Sequence, residues 1–183
     1  LEGPKLFESN YLKHTNQIND KFWTGSTNIK PIDSIINKFV KYGYTHHIER
    51  LMYLGNFMLI CMIDPKEVYK IFMEWSIDSY DWVMVPNIFG MSQFSDGGSM
   101  MTRPYFSSSN YINKMASSFL FKRDGIWDVI WDGLYYNFIN KHNKILRKNY
   151  AIASQVKNWD NKTDNEKDSI KLIANKYIKS LLE

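Results

Sequence analysis

"GYTHHIERLMYLGNF", residues 43–57, is the stretch on which the fold turns. Two adjacent histidines and an acid–base pair run directly into apolar residues. On a helix, His47, Arg50, Leu51 and Leu54 stand at i, i+3, i+4 and i+7 and share one face. The spacing predicts a helix over 45–62 that sets one imidazole and one guanidinium beside an apolar stripe. The residues alone allow two readings. One is a helix end meeting water, with a surface histidine pair next to a helical ion pair. The other is a site, in which a histidine moves a proton near neutral pH. There a buried Arg50 needs a carboxylate partner, for which Asp78 and Asp81 stand nearby in sequence.

Working outward, helix signals recur on both sides. "KPIDSIINKFVKYG" (30–43) has Pro31 at a helix start and Gly43 at its end. "DPKEVYKIFMEW" (64–75) opens with Asp64 as N-cap, Pro65 at the first helical position and Glu67 three residues after the cap. Its helix is expected to end near Asp78. "SYDWVMV" (79–85) predicts a further helix, stopped by Pro86 and Asn87. Residues 88–108, with three glycines and a proline, read as a long connecting loop of the kind that carries function. "NYINKMASSF" (110–119) returns to helix. "GIWDVIWDGLYYNFINKHNKILRK" (125–148) predicts one long amphipathic helix with Ile126, Ile130, Leu134, Phe138 and Ile145 near one stripe. "TDNE" (163–166) is a capping box for a last helix reaching about Leu182. No stretch alternates convincingly with the period of two that marks a half-buried strand. The fold class expected is all-α, an irregular multi-helix bundle forming one domain over residues 1–183.

Composition agrees and narrows the chemistry. A chain of 183 residues suits one domain and hides roughly 70% of its unfolded surface. Aromatic residues make up 16%, which favours stacking, binding of flat ligands or electron relay, or else an aromatic-rich core. The net charge of +4 permits contact with phosphate without requiring it. A lone Cys61 excludes a disulfide framework, a four-thiolate zinc site and a cysteine-held iron–sulfur cluster within this chain. It points to an intracellular, reduced setting. Apolar runs fall far short of the ~18 residues a membrane span needs. The chain begins "LEGPKLFESN", without Met, and is expected to be a piece of something longer.

Three further constellations stand out. His46 and Glu49 lie at i, i+3, but the helical di-iron pattern runs in the opposite order and occurs twice. A zinc helix needs histidines at i and i+4, so a metal site is not expected. "DWVMVPNIFGMSQF" (81–94) joins Trp82 to Asn87; a tryptophan here is a core residue or a one-electron relay beside a redox cofactor. "KHNKILRKN" (141–149) places Lys144, Arg147 and Lys148 at a helix end, as a solvated face or a phosphate contact.

"THHIERLMYLGNF", "IDSYDWVMVPNIFGMSQFSDGG", "RPYFSSSNYINKM", "WDGLYYNFINKH" and "NWD" follow one another in that order. Together they resemble the C-terminal, FAD-binding helical part of the deoxyribodipyrimidine photolyase-related proteins, the bacterial (6-4) photolyase and cryptochrome branch of the photolyase superfamily. The resemblance covers about residues 20–162. It implies FAD held in an all-helical domain, and blue-light-driven electron transfer to a pyrimidine photoproduct flipped out of damaged DNA, since a stacked lesion cannot reach the flavin. By the same resemblance His47 is the proton donor to the lesion with His46 in support. Arg50 and Asp78 are the ion pair beside the flavin, Leu51 and Tyr105 line the lesion pocket, Trp82 is the nearest tryptophan relay, and Asn87 lies along the flavin ring. Related members carry an iron–sulfur cluster on four cysteines; the matching positions here are Pro31, Phe119, Lys122 and about Val129, with Trp127 and Trp131 expected to fill the space. The family's N-terminal antenna domain and the first helices of its flavin domain have no counterpart here. The resemblance therefore leaves three outcomes: a photolyase portion, a cryptochrome-type photoreceptor, or a helical module completed by a separate chain.

Overall fold

The computed structural model describes residues 3–115 and 122–183. Among them the backbone is helical or irregular, with no strand beyond one isolated bridge between Asn16 and Ile63. The all-α reading holds. In chain order the helices are α1 (Gly3–Phe7), α2 (Asp20–Thr24) and α3 (Lys30–Tyr42), then α4 (Asn56–Ile60), α5 (Pro65–Trp75) and α6 (Asp81–Val85). They continue with α7 (Ser109–Met115), α8 (Trp127–Lys141), α9 (Asn143–Leu146), α10 (Ala153–Asp160) and α11 (Asp164–Leu182). Two wider π-helical segments, π1 (Glu49–Gly55) and π2 (Pro86–Ser92), run directly into α4 and out of α6.

The ends legible in the sequence are where they were expected. Gly43 closes α3 at a φ of 63°, a left-handed conformation that glycine adopts without a Cβ penalty, and its N–H reaches the Phe39 carbonyl. Asp64 caps α5 by accepting from the Lys66 N–H. Thr163 and Glu166 form the full capping box of α11.

The departures have physical causes. The helix expected over 45–62 is widened through its middle, where the Asn56 N–H reaches back five residues to the Leu51 carbonyl. The helix of α5 stops at Trp75, so Asp78 falls in the following turn. Pro86 does not stop the chain: it lies where the ladder changes from α to π register, so its missing N–H interrupts little, and its φ of −64° is helical. The predicted loop thus loses its first five residues, 88–92, to π2. The long helix over 125–148 breaks at His142 (φ −102°, ψ 14°), whose ring turns toward His14. The buried face of α8 carries Leu134 and Phe138 as expected, but toward its start Trp127 and Trp131 take the core positions while Ile126 is 64% exposed.

The core is one continuous cluster running from Leu12 to Leu181. Its main helix pair is α8 against α11. They approach closely at Gly133, where a Cβ would lie 3.1 Å from Ile173 Cγ2. Phe57 stacks on Trp131 at 5.8 Å and ties α4 to α8. Fully buried Phe22, Phe39, Phe72, Phe89 and Phe138 show that much of the aromatic content is core. Burying side chains of this size is the main driving term for such a bundle.

Candidate functional site

The two π segments meet at Gly55 and Ser92. The Gln93 side-chain amide donates to the Gly55 carbonyl at 3.0 Å and to Ser92 Oγ at 2.8 Å, fastening one segment to the other. Single π turns inside helices often mark functional sites, because the extra residue re-aims the side chains of one turn. Here π1 carries Arg50 and Leu51, and π2 carries Asn87.

Both segments open onto a cleft of about 180 Å³. Its polar lining is Thr45, His47, Arg50, Asp78 and Asn87; Leu51, Phe72 and Met84 are among its apolar residues. Arg50 is only 7% exposed. Its Nε donates to the Thr45 carbonyl at 2.9 Å, and one terminal nitrogen donates to both Asp78 oxygens at 2.8 and 3.1 Å. The guanidinium also lies over Tyr44 at 5.1 Å and Phe39 at 5.4 Å. Of the two acids offered by the sequence, Asp78 is the partner; Asp81 instead accepts from the Tyr69 hydroxyl. Partial burial raises the Asp78 pKa, but hydrogen bonds from Ser76 and Arg50 and the Arg50 charge outweigh it and hold the carboxyl below its ordinary value. Thr45 is fully buried, and its hydroxyl has no hydrogen-bond partner among the described residues.

His46 and His47 divide between the two sequence readings. The His46 N–H donates to Glu49 at 2.9 Å, its Nδ1 accepts from the Ile48 N–H, and Glu49 also pairs with Lys38 at 2.7 Å. That is a solvated helix start. His47, also exposed, lines the Arg50 cleft and a second cleft of about 400 Å³. The second cleft includes Met52, Arg103, Tyr105, Phe106 and Tyr111, and Leu51 is shared by both. His47 and Leu51 therefore form the partition between a charged cleft and an aromatic one.

Other sequence candidates are placed elsewhere. Trp82 is 79% exposed and is not in the lining of the Arg50 cleft, where its neighbours Val83 and Met84 are found. Arg147, itself exposed, is engaged by Asp160 at 2.8 Å and by Asn143; Lys141, Lys144 and Lys148 of the same stretch are exposed as well. Of the positions matched to cluster cysteines, Pro31 is buried, Lys122 and Val129 are exposed, and Phe119 lies outside the described residues. Trp127 and Trp131 are both fully buried, edge to face at 6.3 Å.

One constellation gave no local sequence signal. His14 Nε2 lies 3.0 Å from His142 Nε2, across 128 residues of chain. Burial, then His142 and Lys141, lower the His14 pKa to about 3; burial, then Lys141, lower that of His142 to about 4. Both rings are neutral at pH 7, so one Nε2–H donates to the other's lone pair. Among the described residues no group of three or more histidine, cysteine or acidic side chains is arranged to hold a metal. None of their helices is long and apolar enough to cross a membrane.

No family model matches the chain. It is 33% identical over 187 residues to a (6-4) photolyase of Agrobacterium fabrum, an alignment covering 99% of this chain and 37% of that protein. It is 47% identical over 131 residues to an uncharacterized protein of Acanthamoeba polyphaga mimivirus, covering 71% of this chain and all of that one. The chain thus spans little more than a third of the photolyase it matches. From order of motifs, helical architecture and this alignment together, the chain belongs to the photolyase family and corresponds to its C-terminal part.

Proposed function

We propose that this chain forms the flavin- and lesion-facing C-terminal part of an FAD-dependent photolyase that uses blue light to repair pyrimidine photoproducts in DNA, most specifically the (6-4) type. The observation that carries the reading is the partition by His47 and Leu51 between two clefts, one holding Arg50, Asp78 and Asn87, the other holding Tyr105. An electron must cross from one compartment to the other and return once the lesion has rearranged, because the repair is redox-neutral overall, and a proton must be available at the boundary.

The first cleft suits the polar edge of a flat heteroaromatic ring. It offers a buried cation, a carboxylate, the Asn87 amide and an orphan Thr45 hydroxyl beside apolar walls. When bound there, FAD supplies light absorption and the electron. The Arg50–Asp78 pair orients the ring edge, and Arg50 supplies fixed positive charge where negative charge develops. His47 holds a proton on a ring nitrogen at the mouth of the second cleft and gives it to the lesion. Tyr105 and Leu51 seat the flipped nucleotide. Lys144 and Lys148 face DNA phosphates, and His46 fixes the helix start that presents His47.

A second reading is favoured by size. Ligand pockets usually enclose about 300–1,000 Å³, and the Arg50 cleft is about 180 Å³. Its residues match a ring edge and not a whole dinucleotide, which supports a chain that completes its flavin site with further protein. The test is a flavin spectrum of the purified protein together with light-dependent repair of a (6-4) oligonucleotide. Repair that disappears in His47→Ala while flavin stays bound supports the first reading. Full-rate repair by His47→Ala rejects the proton-donor role. A colourless, inactive preparation favours the second reading. Flavin photochemistry without repair favours a photoreceptor.

A further inference from the structure

We propose that a third cleft, between the N-terminal segment, the loop after π2 and the end of α9, seats a nucleotide of single-stranded DNA beside the lesion; this rests on DNA being the substrate. The cleft measures about 280 Å³ and includes Tyr11, Gly97, Gly98, Lys148 and Tyr150 in its lining.

The cleft is held open by bonds within its own wall. The Tyr11 N–H donates to the Ser95 carbonyl at 2.9 Å. Asn149 donates to the Thr102 carbonyl and accepts from the Ala151 N–H at 3.0 Å, tying α9's end to the loop. Gly97 lets the Tyr11 ring lie against the loop, since a Cβ there would meet the ring at 3.0 Å, and its φ of 69° also suits glycine.

Its chemistry is that of a single-strand groove. Tyr150 is 85% exposed and Tyr11 is 49% exposed, so both present ring surface to water. Exposed aromatic rings beside a cation form the stacking platform and phosphate contact that sequence-tolerant single-strand binders use. Lys148 supplies the cation. The nearby Asp96 carboxylate does not oppose it: it accepts from the Gly98 and Met100 N–H groups at 3.0 and 2.8 Å and is not in the lining.

Position supplies the link to the proposed reaction. Thr102 lines this cleft, and Arg103, Pro104 and Tyr105 line the second one. A strand whose lesion occupies the Tyr105 cleft is therefore led across exposed Arg103 to Lys148 and Tyr150.

The experiment is fluorescence anisotropy of a labelled, undamaged oligothymidylate with the full chain, over a salt series. Tyr150→Ala is expected to weaken binding about tenfold, and Tyr150→Phe to restore most of it, because stacking needs the ring and not the hydroxyl. Lys148→Ala is expected to lower the slope of log affinity against log salt by about 0.7, one phosphate on a single strand. Both side chains are exposed, so thermal unfolding serves as the folding control. A wild-type chain that does not bind the strand overturns the inference, as does a Tyr150→Ala variant that binds within twofold of wild type or a Lys148→Ala variant with an unchanged salt slope. The assay uses no flavin, lesion or light, so its failure leaves the flavin and His47 tests standing on their own.

Discussion

Gly55→Ala is a sharp test of the crossing between the two π segments. At a φ of −61°, Gly55 has an ordinary helical backbone that alanine accepts without strain. In an open helix the change would stabilise the protein by about 0.8–1 kcal/mol. Here a Cβ would sit 2.1 Å from Ser92 Oγ and 3.2 Å from Ser92 Cβ, inside van der Waals contact. Ser92 is fully buried, so it cannot swing into water. Turning its hydroxyl aside removes the acceptor that Gln93 uses at 2.8 Å, while the bond to the Gly55 carbonyl at 3.0 Å remains. The lost bond costs about 1 kcal/mol, and forcing the segments apart costs about 1–3 kcal/mol. Set against the propensity gain, the net loss is about 1–3 kcal/mol. Urea unfolding followed by circular dichroism measures it. Ser92→Gly should recover at least ~1 kcal/mol in the Gly55→Ala background, a non-additivity expected of touching residues. A Gly55→Ala protein as stable as wild type, or strict additivity in the double variant, would refute the close crossing. Because the same crossing aligns Arg50 with Asn87, flavin affinity should fall along with stability.

Three further outcomes follow from the geometry. An unfolded histidine titrates near 6.5, whereas folded His14 is held down to about 3 and His142 to about 4. Between those values the unfolded chain binds more protons, so this stability is full above about pH 6.5 and is lost as the pH falls. One such imidazole contributes about 2 kcal/mol between pH 6.5 and 5, and His14→Phe should flatten the urea midpoint over that range; an unchanged slope rejects the pair. Asp78→Asn should cost about 1–2 kcal/mol at pH 7, since buried Arg50 loses its counter-charge at a half-exposed carboxylate. The lowered Asp78 pKa means that this difference is present above the carboxylate's unfolded value and shrinks as the pH falls through the folded one. Trp82→Phe should leave stability within about 0.5 kcal/mol, because the ring is exposed, and should slow flavin photoreduction in the flavin-bound protein; an unaltered rate removes Trp82 from the electron path.

What the sequence made legible was local. Gly43, Asp64–Pro65 and the Thr163–Glu166 box each act within one turn, and the structure has all three. A guanidinium on an apolar face must find a carboxylate, which made Asp78 and Asp81 legible as candidates for Arg50; only the family resemblance singled out Asp78. The π segments were not, since an apolar run such as 51–60 satisfies either ladder, and only the crossing partner decides which. The same holds for Pro86, a stop signal within an α ladder and an innocuous residue at a change of register. Thr45 and Tyr44 stand within the opening stretch, yet no residue pattern there assigned either of them to the site. The His14–His142 bond needs two distant segments to fold together first. Trp82 was given a role by position in the chain, which does not say which way its side chain turns.

The widened turn also separates two kinds of phase. In an α-helix each residue advances about 100° around the axis, so the direction of His47 is normally locked to that of Phe57. A π segment absorbs one extra residue between them. Loss of that residue would leave Leu54 and Phe57 in the core and rotate His47 and Arg50 by about 100° relative to it. The protein would keep its fold and turn its chemistry toward a different neighbour.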